Sequence, residues 1–308
     1  MSFSRSALLW VSQNQTLREM LPKYKFVRRA VSKFMPGEEL EDALTAAEQL
    51  RAKSLNTIFT HLGENITEKD EAKRVAEQYC EMLKQISQRN LDTFASVKLT
   101  QLGLDLSEDV CLNNLSRIVG DAQLYGNMVW IDIEQSNYVD RTILVFKTIR
   151  QQYSNVGLCL QSYLYRTEKD LKELLPLAPA IRLVKGAYKE PLTVAFPKKE
   201  DNDENFVKLS KMMLEHVRSH GVYAGIGTHD TNIHQQIIRE AEKLKLSKSD
   251  FEFQMLYGIK MDQQLRLAQA GYKVRDLISY GTFWFPWYVR RLAERPANVW
   301  FVLKNIVQ

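Results

Sequence analysis

Eight short apolar runs, each separated from the next by a longer segment of helical periodicity, set the range of folds open to this chain. They lie at Leu55–Thr60, Ser96–Leu102, Met128–Ile133, Val156–Gln161, Ile181–Lys185, Tyr223–Thr228, Glu252–Leu256 and Val274–Tyr280. Most are unbroken rather than alternating, as in strands of a parallel sheet covered on both faces. Eight strand–helix alternations over about 230 residues match an α/β chain folded as a (β/α)8 TIM-type barrel, whose usual size is roughly 250 residues. A doubly wound open sheet shares the alternation. Its dinucleotide-binding form is weakened because no GxGxxG follows the first run.

Helix starts are marked between the runs. Thr67-Glu68-Lys69-Asp70 and Thr167-Glu168-Lys169-Asp170 each offer a hydroxyl cap with an acid three residues later, and Ser107 precedes Glu108-Asp109. The charge run at 198–205 (KKEDNDEN) reads as a solvated loop before a helix starting near Phe206. Residues 1–50 read as an N-terminal helical arm, and 51–308 as one catalytic barrel domain with no internal repeat or linker.

Charge separates the same two parts. The chain of 308 residues has a net charge of +5, but residues 1–36 alone hold seven basic residues and one acid, leaving the body nearly neutral. A protein that wraps nucleic acid needs its basic residues clustered on the main fold, so that class is disfavoured. Three scattered cysteines, Cys80, Cys111 and Cys159, suit a reducing compartment. No apolar run approaches the roughly 20 residues of a membrane span. The Ala7–Val11 stretch is shorter than a signal-peptide core of about 7–15 residues. A cytoplasmic protein is the expectation.

Active sites of such barrels gather at the C-terminal ends of the strands. The first run leads to Glu64, the second contains Lys98, the third Asp132, and the fourth ends at Gln161. The fifth contains Arg182 and ends at Lys185 before Gly186. The sixth leads into Thr228-His229-Asp230, the seventh ends at Leu256 and the eighth at Tyr280. Charged residues inside apolar strands are costly unless paired. Lys98 and Asp132 are compatible with one structural ion pair, although the convergence of polar residues from all eight ends favours a shared pocket. His216 and His220 are four apart with no third ligand nearby, which does not make a metal site.

After the eighth run comes YGTFWFPWYVRRLAE (280–294). Pro286 suits the first turn of a helix. Tyr288 and Arg291, three apart, share a face. Adjacent guanidinium groups behind an aromatic cluster suit a carboxylate clamp, and an outer barrel helix with solvated arginines fits the spacing equally well.

Taken together, IRLVKGAY (181–188), GTHD (227–230), FEFQMLYG (251–258) and YVRRLAERPAN (288–298), with GEN (63–65), KLTQLGLD (98–105) and IDIEQ (131–135), resemble the proline dehydrogenase family. The single-domain chain is similar to its monofunctional bacterial members, not to the long proteins that add an aldehyde dehydrogenase domain. The resemblance implies an FAD-containing barrel whose last helix sits over the active site. It would oxidise L-proline to Δ1-pyrroline-5-carboxylate by hydride transfer to flavin N5, the first step of proline catabolism.

By motif position the resemblance assigns Arg290, Arg291 and Lys98 to the proline carboxylate. Leu256, Tyr280 and Tyr288 pack around the ring, with Asp132 in support and Glu64 as a gate. Gln161, Arg182, Val184, Lys185, Gly186, Ala187, Thr228, His229 and Glu294 fall to the flavin, with Arg182 and Lys185 as the catalytic cations. It also implies a quinone electron acceptor and a separate pyrroline-5-carboxylate dehydrogenase downstream. Competing expectations are a flavin barrel of the methylenetetrahydrofolate reductase type, or a non-catalytic membrane-binding barrel. A quinone-reducing enzyme must visit a bilayer. Leu8–Val11, Leu17, Met20 and Leu21 offer an apolar face beside the cationic one, so peripheral contact with the inner face of the plasma membrane is one use for the arm. Packing of those residues on the barrel wall is the other.

Overall fold

The computed structural model describes residues 31–63, 66–285 and 288–289. Eight parallel strands close into a barrel in chain order, with β8 hydrogen-bonded back to β1. They are β1 (Asn56–His61), β2 (Thr93–Val97), β3 (Val129–Ile131), β4 (Val156–Gln161), β5 (Ala180–Val184), β6 (Tyr223–Gly227), β7 (Phe251–Leu256) and β8 (Lys273–Tyr280). Helix α1 (Leu40–Arg51) precedes β1. The crossovers are α2 (Lys69–Gln88), α3 (Glu108–Leu124), α4 (Val139–Arg150), α5 (Thr167–Leu174), α6 (Lys199–His220), α7 (Thr231–Lys243) and α8 (Met261–Gln269). Helical geometry resumes at Trp284, after β8.

The main core fills the layer between the sheet's outer face and these helices. Phe59, Tyr79, Met82, Phe146, Phe206 and Phe253 are among its fully buried members. Helix α1 belongs to this layer through Ala43, Leu44, Ala46, Ala47 and Leu50. The boundary expected at residue 50 therefore falls inside an element of the barrel core.

The barrel interior is partly ionic. Near the N-terminal ends of the strands, the guanidinium of Arg275 donates to Glu252 at 3.1–3.2 Å and to Asp92 Oδ1 at 2.8 Å, and lies 3.6 Å from the Phe94 ring centroid. Arg275 and Glu252 are both almost wholly buried. Their desolvation is offset because each finds an opposite charge at hydrogen-bonding distance.

Two local readings need correction. The second strand is Thr93–Val97, and the apolar residues after it form consecutive turns, with Gln101, Leu102 and Gly103 each bonded back three residues. Leu99, Leu102 and Leu104 are buried by those turns and not by strand pairing. The 198–205 charge run is not a loop. It supplies the first turns of α6, because Asn202, Asn205, Phe206 and Leu209 recur at helical spacing and the two asparagines find partners on the barrel. Of the three expected hydroxyl caps none makes a cap hydrogen bond, and Thr167 Oγ1 instead donates to the Gln161 carbonyl at 2.5 Å.

A segment ahead of α1 crosses the barrel mouth. Val31 and Met35 are buried, the Phe34 ring lies 5.9 Å from that of Tyr288, and Trp284 Nε1 donates to Glu38 Oε1 at 2.8 Å. Where this strap passes the end of β7 the chain has Gly258, at φ +72°, and a Cβ there would fall on the Lys33 carbonyl oxygen. Only glycine admits both the left-handed backbone and the approach.

Candidate active site

Lys98 and Asp132 occupy equivalent places, one residue beyond β2 and β3, and not inside the strands as the apolar runs suggested. The Asp132 N–H still donates to the Val97 carbonyl at 2.8 Å, which extends the ladder and sets the two side chains together. Lys98 Nζ donates to Asp132 Oδ2 at 3.1 Å. Arg182, inside β5 and almost fully buried, donates to Asp132 Oδ1 and to Ser96 Oγ at 2.9 Å, and Ser96 in turn donates to Asp132 at 2.8 Å. Its guanidinium carbon is 5.2 Å from the Trp130 ring centroid.

Burial alone would raise the Asp132 carboxyl, but Lys98 and Arg182 outweigh it and hold the group below its ordinary value. Asp132 is therefore a fixed anion between two cations. Glu134, two residues on, accepts from the Thr100 N–H and hydroxyl at 3.2 and 2.7 Å and pins the turn that carries Lys98. Burial pushes the Glu134 carboxyl upward.

A second ionic cluster stands at the ends of β5 and β6. Lys185 Nζ lies 2.6 Å from Asp203 Oδ1 on α6 and 3.3 Å from Asp230 Oδ2. Asp230 caps α7 by accepting from the Asn232 N–H at 3.1 Å. Thr228, buried at the end of β6, accepts from the Asp230 N–H at 3.2 Å, and His229 Nε2 accepts from the Leu256 N–H at 3.2 Å. Leu256, the last residue of β7, is thus tied to the β6 loop.

The rim offers features that suit a bound polar cofactor. Arg182 Nη1 and Gln161 Oε1 are buried without a hydrogen-bond partner among the described residues, and buried polar groups are rarely left so. Gly186, at φ +109°, follows Lys185, and a Cβ there would strike the Tyr163 ring. Val184 and Gly186 are half-buried and Ala187 is exposed, so this turn presents backbone at the mouth. These donors, acceptors and bare backbone fit a planar group with carbonyl and ring-nitrogen edges, such as the isoalloxazine of FAD.

Tyr280 does not join these groups. Its ring lies 5.3 Å from that of His61 and 6.2 Å from that of Phe59, within the layer outside the sheet. Tyr288 is buried against Phe34, with its hydroxyl unpartnered among the described residues. Glu64, Arg290, Arg291 and Glu294 lie outside the described residues. The Ser96 hydroxyl and the carboxyl groups of Glu134, Asp203 and Glu252 are site or interior polar groups that the apolar-run reading passed over. Asp203 was hidden in the charge run, and its helical offset of four from Lys199 was the available signal.

Comparison with known proteins agrees with this architecture. The family model described as proline dehydrogenase matches residues 43–304. Proline dehydrogenase 1 of Bacillus subtilis subsp. natto is 38% identical over 304 residues, covering 99% of each chain. Proline dehydrogenase of Deinococcus radiodurans is 35% identical over 309 residues, covering 99% of this chain and 98% of that one. Among solved structures, proline utilization A from Bdellovibrio bacteriovorus superposes with a TM-score of 0.82 at 22% identity, over 94% of this chain and 38% of that longer one. The Bradyrhizobium japonicum protein of the same name, as a D778Y mutant, gives 0.74 at 22% identity, over 91% and 32%. These two share the barrel fold. A full-length match in sequence, laid over a closed barrel with Lys98, Asp132 and Arg182 gathered at one mouth, has a single reading: the chain belongs to the proline dehydrogenase family and is an oxidoreductase of that kind.

Proposed function

We propose that this chain oxidises L-proline to Δ1-pyrroline-5-carboxylate with FAD as its cofactor. The observation that carries the reading is the Asp132 carboxylate held between Lys98 and Arg182 at the C-terminal mouth of the barrel. When bound, FAD supplies a two-electron acceptor for the hydride on the carbon beside the proline nitrogen.

The chain's residues supply position and charge. A lysine ammonium has three donors, and Lys98 uses one on Asp132, so two remain for the substrate carboxylate. Arg290 and Arg291 complete that clamp, since guanidinium groups bind carboxylates in bidentate fashion. Leu256, Tyr280 and Tyr288 are assigned to the ring on family resemblance alone, and the Tyr280 ring packs against His61. Arg182 and Lys185, with Gln161, Val184, Gly186, Ala187, Thr228, His229 and Glu294, are assigned to FAD. The two cations stabilise negative charge gained on reduction, the type of preorganised electrostatics that dominates many active sites. Glu64 gates the mouth.

Electrons pass to a membrane quinone, and the product goes to a separate pyrroline-5-carboxylate dehydrogenase. The N-terminal arm, basic over residues 1–36 and outside the described residues up to residue 30, provides peripheral membrane contact. Among the described residues no helix is long and apolar enough to cross a membrane.

The test is a visible spectrum of the purified protein, then anaerobic L-proline. An absorbance band at about 450 nm that bleaches with proline and not with NADH is expected. A colourless protein, or bleaching by NADH alone, rejects the reading. Arg291→Met is expected to raise the proline KM severely with FAD retained. Liposome sedimentation of full-length and arm-deleted protein tests the membrane contact, and equal binding rejects it.

A further inference from the structure

Lys185 is held at both ends by one helix. Its carbonyl accepts from Asn202 Nδ2 at 3.3 Å, and its ammonium meets Asp203 at 2.6 Å, one residue further along α6. The same carbonyl also accepts from the Tyr163 N–H at 3.0 Å. Asn202 is itself fixed, because Ser162 Oγ donates to its Oδ1 at 2.6 Å, and Asn205 Nδ2 donates to the Ser162 carbonyl at 2.6 Å. Asp230 approaches the ammonium from the other side, immobilised by its capping bond to Asn232. Lys199 pairs with Asp203 and lies 3.8 Å from Asp230, so two cations and two anions close a neutral square.

A structural ion pair alone does not require this arrangement. Helix α6 is already docked by Asn202, Asn205, Phe206 and Leu209. What the additional carboxylates fix is the end of a long side chain that otherwise samples many rotamers. Lys185 stands one residue beyond β5, on the strand that carries Arg182.

We propose that Asp203, assisted by Asp230, is a positioning residue that aims the Lys185 ammonium at the cofactor. It acts through Lys185 and touches neither substrate nor cofactor. The inference rests on the reading that Lys185 faces the flavin. It assigns the first turns of α6 a part in the chemistry beyond completing the barrel wall.

The experiment is a double-mutant cycle on the holoprotein with Asp203→Asn, Lys185→Met and the pair. The readouts are kcat and KM for proline, the apparent FAD dissociation constant from flavin fluorescence on dilution, and the melting temperature. Asp203→Asn is expected to lower kcat and weaken FAD retention by about tenfold each, as misplacement of a catalytic group does, while KM stays within about twofold. In the Lys185→Met background the same change is expected to move kcat and FAD retention by less than about twofold, because the group being positioned is gone.

Equal losses in both backgrounds with a lowered melting temperature would assign Asp203 to the scaffold and overturn the proposal. So would an inert Asp203→Asn beside an impaired Lys185→Met, which leaves the flavin-facing reading of Lys185 intact. A Lys185→Met protein with parental turnover and FAD retention rejects that reading, and the proposal with it. If Asp203→Asn does not fold, Asp203→Glu carries the same cycle, with a two- to threefold loss expected only where Lys185 is present.

Discussion

Arg182, buried within β5, donates through Nη2 to the carboxylate of Asp132, one residue beyond β3 on the opposite side of β4. Removing one member of a buried pair leaves the other charge uncompensated. Asp132→Asn is therefore expected to destabilise the protein by about 3–5 kcal/mol, read from urea unfolding. It should also lower kcat/KM for proline, because Lys98 loses its anchor. Parental stability would show that Ser96 and Trp130 suffice to hold the guanidinium.

The pair at the other end of the barrel separates stability from chemistry. Glu252→Gln leaves Arg275 with the exposed Asp92 as its one remaining counter-charge among the described residues. A loss of about 3 kcal/mol is expected in the same unfolding measurement. The proline KM and the flavin spectrum should remain parental below the new melting temperature. A shifted spectrum would mean that the interior transmits strain to the mouth.

The barrel itself was legible because its signal is collective: eight apolar runs and seven crossovers repeat one pattern, and small errors at single boundaries do not erase it. Lys98 and Asp132 were found but placed wrongly inside strands, since Leu99 and Leu102 extend the apolar run through what are tight turns. Asp203 was missed because a dense charge run looks solvated whichever residue in it is turned inward. Tyr280 shows the converse difficulty. It ends a strand at the mouth, yet strand alternation sends its ring outward to His61. Contacts between distant segments, such as Glu38 with Trp284, leave no periodic trace in either segment.

Asp276 gives a pH dependence of definite sign. It is fully buried on β8 with neither carboxylate oxygen partnered among the described residues, and burial pushes its carboxyl up to about 8. The unfolded chain releases this proton near pH 4, whereas the folded chain keeps it until about pH 8. The folded state binds more protons between those values, so its stability falls as pH rises through that window. Asp276→Asn cannot titrate. Its stability relative to the parent is expected to climb by about 1.4 kcal/mol per pH unit from pH 4 to 8, measured by urea unfolding at each pH. A flat difference would mean that the carboxyl is ionised and paired.

Gly258→Ala tests the strap. The left-handed backbone alone costs a non-glycine residue about 1–2 kcal/mol, and the added methyl displaces the Lys33 carbonyl. Faster amide hydrogen exchange is expected across residues 31–38, with exchange in β3–β5 unchanged. Uniform acceleration throughout the barrel would show that the strap is not a separable unit.

That strap also orders events in time. Glu38 and Trp284 are separated by 246 positions, and every barrel strand lies between them. During synthesis the strap leaves the ribosome before any strand exists, and its partner emerges only after all eight. The wall of the barrel can therefore be built while its mouth is still bare. The clasp across that mouth is a late event by construction, and a nascent chain halted before Trp284 would hold Lys98, Asp132 and Arg182 in an open, water-filled cup.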